Sequence, residues 1–387
     1  MSDPAFLAAA PGEPAFVVQH LIDPEICIRC NTCEETCPVG AITHDDNNYV
    51  VNADTCNHCK ACVAPCPTGA VDRWHAVARP YSLQAQFGWL DLPPQAVPAA
   101  GMPAALPGPI APPTAATPTV QLYGRTTPAT ATVLSNRRAT RTHLHDVRHI
   151  VLDFGGQRMP LLEGQSIGIL PPGVDERGRP NVERLYSVAS ARGGEENGTN
   201  TVALTVKREP SGLCSNHLAD LKAGDRVQVT GPFGTTFLLP QDPEANLLMV
   251  CTGTGVAPFR GFIEQRLRAM RDASGALMMF YGGRTPEELP YYGRHESLPA
   301  GFLDHHICFS REPGLPRVYV QDRMRVSADR LQLLLLAPTT HVFICGRKGM
   351  EAGVEEAFED ILRGCGGGWA PQREAMRQQG RFHVETY

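Results

Sequence analysis

Hydrophobic and polar positions follow two contrasting patterns in the second half of the 387-residue chain. Short alternating segments between turns rich in Gly and Pro, such as 202–206 and 226–230, predict strands of a small antiparallel β-barrel. After Pro243, a continuous apolar run at 247–250 precedes a glycine turn and apolar positions at helical spacing from 259 to 270. This order, continued by apolar runs at 277–281, 306–309 and 341–345, predicts a doubly wound α/β domain.

A different composition marks the segment between the N-terminal region and the predicted barrel. Residues 93–118 contain nine prolines and eight alanines, and no charged residue occurs from 92 to 124. Such a segment cannot form a core, so we expect an extended, semi-rigid tether. The predicted domains are an N-terminal domain at 1–90, a linker at 91–120, the barrel at 121–243 and the α/β domain at 244–387.

Cysteine spacing adds the first chemical information. Eight of the 13 cysteines form two runs of C-x2-C-x2-C-x3-C-P that start 29 residues apart: Cys27, Cys30, Cys33 and Cys37, then Cys56, Cys59, Cys62 and Cys66. The N-terminus lacks the pattern of a signal peptide, so dense cysteines indicate metal or redox chemistry and not disulfides. Two zinc knuckles, which need only C-x2-C pairs, are the alternative.

Both runs resemble those of bacterial ferredoxins. The resemblance implies an α+β ferredoxin module with two 4Fe–4S clusters, in which the fourth cysteine of each run crosses to the other cluster. The implied ligands are Cys27, Cys30, Cys33 and Cys66 for one cluster, and Cys56, Cys59, Cys62 and Cys37 for the other. The alternative to an electron-transfer module is that the cysteine block binds zinc. It would then be an interaction module attached to a diaphorase, and no electrons would pass through clusters.

Net charge restricts the partners. The chain carries −5 overall, which argues against nucleic acid and basic membrane-surface binding. Residues 20–75 hold eight acidic and three basic side chains, so we expect this module to dock on basic surfaces. No apolar run approaches a membrane span, and we expect a cytoplasmic protein.

Residues 121–387 resemble plant-type ferredoxin–NADP reductases at several separated motifs. Arg184-Leu185-Tyr186-Ser187 is similar to the family's R-x-Y-S flavin motif, and Gly212-Leu213-Cys214-Ser215 to its G-V-C-S turn at the FAD diphosphate. Lys207 is similar to a lysine at the nucleotide. One departure is the short segment 208–211, because the family has a longer loop there with a tyrosine that stacks on the FAD adenine.

Further motifs imply NADPH as the second nucleotide. A glycine turn before a helix can bind a pyrophosphate, although the turn alone is a weak indication. The resemblance assigns the pyrophosphate to Gly253, Thr254, Gly255 and Pro258, the nicotinamide segment to Cys345, Gly346 and Met350, and the 2′-phosphate and adenine to Ser310, Arg311, Arg317, Tyr319 and Gln321. Cations at the 2′-phosphate select NADPH over NADH.

Catalytic roles follow from the same resemblance. Ser187 and Glu385 are the implied pair that handles the proton at the flavin, and Cys345 shapes the nicotinamide pocket. The terminal Tyr387 is expected to cover the flavin at rest and to move aside for the nicotinamide.

Together these parts predict an enzyme that converts two-electron transfer into one-electron transfer. It takes hydride from NADPH and passes single electrons through FAD to the clusters. The order of modules resembles reductase components of the aerobic benzoyl-CoA epoxidase (oxygenase) system, whose acceptor is a separate di-iron oxygenase. A di-iron motif such as repeated E-x2-H does not occur in the sequence, which fits a reductase. The alternative direction takes electrons from a low-potential donor to NADP+.

Overall fold

The structure, a computed structural model, consists of two compact units, Met1–Pro109 and Ile110–Tyr387. It describes residues 17–25, 27, 29, 31–63, 66, 69–71, 73–94, 110–142, 145–174, 178, 180–293, 298–363 and 368–386. Within these ranges, none of the helices has both the length and the apolar character needed to span a membrane. Each unit has its own sheets and its own core.

Short elements form the first unit. They are β1 (Val17–Leu21), α1 (Thr32–Thr36), β2 (Ile42–His44), β3 (Tyr49–Val51), β4 (Arg73–Val77) and α2 (Leu83–Phe87). β1 pairs antiparallel with β4, and β2 pairs antiparallel with β3. In each pair, one strand precedes a cysteine run and the other follows a run: β1 precedes the first run and β4 follows the second, whereas β2 follows the first run and β3 precedes the second. This arrangement matches the sequence duplication and the predicted α+β module.

An antiparallel barrel opens the second unit. Its elements are β5 (Ala129–Arg138), β6 (Val147–Asp153), β7 (Ser166–Leu170), β8 (Arg184–Ser187), β9 (Thr201–Lys207), α3 (Leu213–Asp220) and β10 (Arg226–Phe233). The strand order is β8-β7-β10-β5-β6-β9, and a bridge between Val188 and Leu204 brings the two ends of the sheet together. Inward-facing residues such as Ile150, Leu152 and Ile169 are fully buried, as alternation predicts.

A parallel α/β sheet completes the second unit. Its elements are β11 (Asn246–Thr252), α4 (Val256–Ala269), β12 (Leu277–Gly283), β13 (Asp304–Phe309), α5 (Val320–Val326), α6 (Ala328–Leu336), β14 (Thr340–Gly346), α7 (Lys348–Leu362), α8 (Trp369–Gln378) and β15 (Phe382–Thr386). The order is β13-β12-β11-β14-β15, and every pair is parallel. Phe259 and Phe262 of α4 pack on one face, whereas Met324, Leu335 and Phe358 pack on the other. The predicted doubly wound domain is therefore confirmed.

Part of the predicted linker packs on the barrel. Residues 95–109 lie outside the described part of the chain, but residues 110–120 belong to the second unit. There Gln165 Nε2 donates to the Thr119 carbonyl at 3.0 Å, and the Asp242 N–H donates to Thr114 Oγ1 at 3.2 Å. The predicted domain limits stay predictions, and these contacts attach the last third of the 91–120 segment to the barrel side.

Candidate functional site

Four of the predicted cluster ligands line one cavity in the first unit. Cys37 of the first run shares this cavity with Cys56, Cys59 and Cys62 of the second run. Cys37 and Cys56 are half-buried, Cys62 is buried and Cys59 is exposed. The Ala41 N–H donates to Cys37 Sγ at 3.2 Å. The arrangement brings together the crossed set that the ferredoxin resemblance implies.

Backbone conformation repeats with the same 29-residue offset as the cysteines. Arg29 and Asn31 have φ values of 57° and 65°, and their counterparts His58 and Lys60 have 57° and 61°. These residues flank Cys30 in the first run and Cys59 in the second. Left-handed residues beside a cysteine turn backbone N–H groups inward, where they can donate to sulfur. Non-glycine residues adopt this conformation at a cost, so its repetition indicates a functional constraint.

The electrostatics of the cavity fit a 4Fe–4S cluster. Burial raises the pKa of the Cys62 thiol to about 12 and also raises the pKa of the Cys56 thiol, and the neighbouring Cys37 and Cys59 add to both effects. The thiols of Cys56 and Cys62 therefore stay protonated at neutral pH unless a metal cation replaces their protons. Among the described side chains, no group of three or more His, Cys, Asp or Glu could hold a single metal ion. A cubane gives each thiolate its own iron, so its ligands need not converge on one point.

The other predicted cluster set is described only in part. Cys33 and Cys66 are each 8% exposed and Cys27 is half-buried, whereas Cys30 lies outside the described residues. Their assignment stays a prediction.

In the barrel, β8 presents the predicted flavin motif. Arg184 is exposed, and Leu185, Tyr186 and Ser187 are half-buried. Burial raises the pKa of the Tyr186 phenol, and the adjacent Cys214 adds to this effect by its charge and by accepting a hydrogen bond from the phenol. Cys214 lies at the start of α3, and its thiol donates to the Ile169 carbonyl at 3.6 Å. The Tyr186 hydroxyl is thus held in its neutral form between β8 and α3.

The turn before α3 is compact. A side chain at Gly212 would come within 2.5 Å of Ser215 Oγ, and this hydroxyl accepts the Glu209 N–H at 3.1 Å. Leu213 is 58% exposed, and Lys207 at the end of β9 pairs with Glu209 at 2.5 Å. The predicted diphosphate turn and Lys207 are therefore neighbours along one short segment, in which Leu213 is exposed and Cys214 and Ser215 are buried.

The carboxyl ends of the parallel strands gather the predicted NADP residues. Gly253 has a φ of 56°, and a Cβ at Gly255 would lie 2.1 Å from the Cys345 carbonyl oxygen. Only glycine permits this approach of the turn to β14. Thr254 lies between these two glycines, and Pro258 is in the first turn of α4. Thr252 Oγ1 accepts the Arg347 N–H at 3.5 Å and would lie 2.5 Å from a side chain at Gly346, so the two nucleotide motifs pack together.

Glu385 lies on the edge strand β15 directly beside Cys345 of β14. Desolvation raises the pKa of the Glu385 carboxyl to about 8, so it carries a proton at neutral pH. Cys345 is 1% exposed, and burial raises the pKa of its thiol well above the usual value. Met350 on α7 is 8% exposed. Tyr387 lies outside the described residues, and Ser187 lies on the other sheet of the unit.

The predicted 2′-phosphate residues follow β13. The Ser310 N–H donates to the Gly283 carbonyl at 3.0 Å, and the Arg311 N–H donates to the Arg284 carbonyl at 2.8 Å, which fixes this loop to the end of β12. The side chains of Arg311, Arg317 and Tyr319 are exposed, so they are available to a ligand from solvent. Gln321, in the first turn of α5, is half-buried.

One structural link was not predicted from the sequence. Arg260 of α4, 4% exposed, pairs with Glu195 at 2.7 Å and also donates to the Ala189 carbonyl at 2.5 Å. It therefore fastens the helix after the glycine turn to the segment after β8. The only sequence signal for this role is an arginine on the otherwise apolar side of a helix.

Comparison with known proteins assigns three regions of the chain to domain families. Residues 26–70 match the 4Fe-4S dicluster domain, residues 139–237 the oxidoreductase FAD-binding domain, and residues 249–356 the oxidoreductase NAD-binding domain. These matches fall on the first unit, the barrel and the parallel sheet, respectively. They define the class as an iron–sulfur flavoprotein oxidoreductase that binds a nicotinamide nucleotide.

Individual relatives narrow this class. The chain is 36% identical over 288 residues to a ferredoxin–NADP reductase of Spirulina sp, with 69% of this chain and 98% of the relative covered. It is 38% identical over 260 residues to the cyanelle enzyme of Cyanophora paradoxa, with 62% and 71% covered. The fold matches that of ferredoxin-NADP+ reductase from Plasmodium falciparum with a TM-score of 0.56 at 24% identity, over 70% of this chain and all of that one.

The chain therefore belongs to the ferredoxin–NADP reductase family. It is an NADPH oxidoreductase with FAD-binding and NADP-binding domains and an N-terminal 4Fe–4S dicluster domain.

Proposed function

We propose that this chain carries electrons from NADPH through FAD and two 4Fe–4S clusters to a separate oxygenase, and that this acceptor is the di-iron benzoyl-CoA epoxidase. The observation that carries the proposal is the presence of a dicluster domain and a complete reductase in one chain. A flavin accepts hydride and releases single electrons, which is the conversion that clusters require. An NADPH oxidoreductase with its own clusters can therefore supply an acceptor that takes single electrons.

Binding of NADPH is assigned to the carboxyl edge of the parallel sheet. The backbone N–H groups at Gly253–Gly255 would bind the pyrophosphate, because they lie at the start of α4. Arg311 and Arg317 hold the 2′-phosphate and Tyr319 packs on the adenine, which their exposure allows. We assign the other residues of the predicted NADP motifs to the same nucleotide, as the family resemblance implies: Pro258, Ser310, Gln321, Cys345, Gly346 and Met350.

Proton handling is assigned to Glu385 and Ser187. Glu385 carries a proton at neutral pH because its pKa is raised to about 8, and its place beside Cys345 puts that proton at the nicotinamide segment. Cys345 excludes water from this part of the site because it is fully buried. Arg184, Leu185, Tyr186, Gly212, Leu213, Cys214, Ser215 and Lys207 orient the flavin and its diphosphate in this proposal.

Electron delivery to the partner is assigned to the first unit. Its excess of acidic side chains favours a basic surface on the acceptor, and covalent linkage in one chain gives the unit a roughly millimolar effective concentration for reaction with the flavin. The cavity lined by four cysteines supports the crossed ligand set for one cluster.

Reconstitution tests the proposed acceptor. The purified chain and a purified di-iron benzoyl-CoA epoxidase are mixed with NADPH, benzoyl-CoA and oxygen, and epoxide formation is measured. We expect turnover that needs both proteins and falls with added salt. A dye that accepts electrons directly from the flavin serves as the control for reductase activity. Dye reduction without any epoxidation would contradict the oxygenase assignment and leave the reductase class intact.

The reverse direction is the second candidate, and the names of the ferredoxin–NADP reductase relatives favour it. Chemically reduced chain is mixed with NADP+, and NADPH formation is followed. Formation faster than the forward reduction of the clusters by NADPH would favour this direction.

A further inference from the structure

His20 is a buried polar side chain at the cysteine cavity. It lies on β1, is 2% exposed, and lines the same cavity as Cys37, Cys56, Cys59 and Cys62. Its Nδ1 lies 3.8 Å from Cys56 Sγ, within hydrogen-bond distance for sulfur, and its Nε2 contacts the Val71 carbonyl oxygen. One ring therefore joins a predicted cluster ligand to the backbone after the second cysteine run.

Neighbouring residues hold this ring in place. His20 pairs with Trp74 of β4 in the strand register and stacks on it, with ring centroids 4.2 Å apart and planes at 8°. The Lys60 ammonium lies 5.6 Å from the Trp74 ring centre, and His58 meets the same ring edge-on at 5.4 Å. Because both of these residues flank Cys59, the stack is tied to the cysteine run itself. The contact with Cys56 is thus part of a packed arrangement.

The duplicated half offers an internal comparison. Tyr49 follows His20 by the same 29 residues that separate the cysteine runs, and it stacks on its strand partner His44 at 4.6 Å and 13°. Its hydroxyl donates to Asn31 Oδ1 at 3.0 Å. The scaffold is the same in both halves, but the chemistry differs. A phenol has one donor, at the far end of the ring, whereas an imidazole has nitrogens at its edge.

We propose that His20 is a positioning residue that donates a hydrogen bond to Cys56 Sγ and so raises the reduction potential of the cluster held by Cys37, Cys56, Cys59 and Cys62. This inference rests on the proposed cluster ligation. An iron-bound thiolate only accepts hydrogen bonds, so in this proposal the hydrogen bond comes from the N–H at Nδ1, the ring nitrogen that faces Cys56 Sγ. Reduction adds negative charge to the cluster, and a donor to a ligating sulfur stabilises that charge.

The consequence concerns the reduction of this cluster in the first unit. A hydrogen bond from His20 makes the cluster easier to reduce than it would be without that bond. The exposed residues Pro38, Val39 and Cys59 line the same cavity.

Potentiometric EPR of the full-length holoprotein tests the proposal. His20→Phe keeps an aromatic ring for the Trp74 stack but removes both nitrogens. At the solution potential that half-reduces this cluster in the wild type, we expect its ratio of reduced to oxidised form to fall about tenfold. The other cluster should titrate as before. Tyr49→Phe is the matched control, and it should leave the cluster of Cys56 unchanged.

A second measurement detects the hydrogen bond itself in the wild-type protein. Pulsed EPR of wild-type protein with ring-labelled 15N-histidine should detect an imidazole nitrogen coupled to one reduced cluster, and His20→Phe should lose that coupling. Unchanged titration curves in His20→Phe, or no such coupling in the wild type, would overturn the proposal. Iron content separates this failure from failure of the proposed function, because fewer than about eight irons per chain would contradict the two clusters themselves.

Discussion

In the second unit, Val250 lies between Phe280 and Ile344 on neighbouring parallel strands, and all three side chains are fully buried. In the first unit, by comparison, the strands are three to five residues long, and four cysteines line a cavity beside β1 and β2. Long apolar strands remove enough surface from water to stabilise a domain without help. A small cysteine-rich module has less apolar surface to bury and depends on its metal.

The two units differ in whether the residues that carry the chemistry also stabilise the fold. In the first unit the groups expected to carry electrons also hold the fold, so a ligand change should affect both. In the second unit the core lies within the sheets, whereas the predicted nucleotide residues lie at strand ends. Changes there should alter catalysis and leave the fold intact.

Loss of one crossed ligand should have the largest effect. We expect Cys37→Ala to remove one cluster and to abolish cooperative unfolding of the first unit, because cluster binding and folding are coupled. Its EPR spectrum should match that of Cys62→Ala and differ from that of Cys33→Ala. Cys308→Ala, a buried cysteine of β13, is the control and should keep full iron content. A Cys37→Ala spectrum like that of Cys33→Ala would refute the crossed assignment.

Substitution of Glu385 should lower the rate of flavin reduction. We expect Glu385→Gln to slow flavin reduction by NADPH by about 10²-fold, the usual contribution of a positioned proton carrier. The wild-type rate should fall as the pH rises through about 8, where Glu385 loses its proton, and the variant should lack that fall. Stopped-flow absorbance measures both. A variant with the wild-type pH profile would contradict the assigned role.

Coenzyme choice should depend on the loop after β13. Arg311→Ala removes one charge-assisted contact worth about 1.5–3 kcal/mol, so the KM for NADPH should rise roughly tenfold to hundredfold. The KM for NADH should change little. Arg330→Ala, which removes an exposed arginine paired with Asp304 at 3.1 Å, is the control. Equal increases for both coenzymes would rule out a 2′-phosphate site at Arg311.

Acid should weaken the second unit gradually. Burial lowers the pKa of His383 to about 3 and that of His341 to about 4, so both stay neutral in the fold. Their contribution is complete above pH 6.5, the usual histidine value, and is lost as the pH falls below it, by up to about 1.4 kcal/mol per pH unit for each group.

His383→Phe tests this dependence, because it keeps the stack on Phe343 and removes the titrating ring. Unfolding of the second unit, followed by flavin fluorescence between pH 6.5 and 5, should be less sensitive to pH in the variant. Glu385, whose raised pKa has the opposite effect in this range, is present in both proteins and cancels. Equal slopes would show that His383 does not contribute.

Local sequence pattern was sufficient for much of the architecture. The cysteine spacing predicted the first unit, and the change from alternating to continuous apolar runs predicted the barrel and the parallel sheet. The edge strand β15 was not predicted as a strand, because Phe382–Thr386 is half-polar and gains its conformation from pairing with β14. That pairing is what sets Glu385 beside Cys345.

Contacts between distant segments were beyond sequence reasoning. His20 precedes Cys56 by 36 residues and meets it only because β1 pairs with β4. Arg260 and Glu195 are joined in the same way by packing of α4 on the barrel. Composition also could not show which part of the 91–120 segment packs on the barrel side. Thr119 accepts a hydrogen bond through its backbone carbonyl, which every residue has, and Thr114 accepts one through its hydroxyl, which every threonine has.

Freeze-quench EPR of the full-length holoprotein after anaerobic mixing with excess NADPH tests the central claim most directly. If the chain conducts electrons from NADPH through FAD to its clusters, absorbance should report flavin reduction first, and signals of reduced 4Fe–4S clusters should follow. A fully reduced flavin with clusters that stay oxidised throughout would contradict this account.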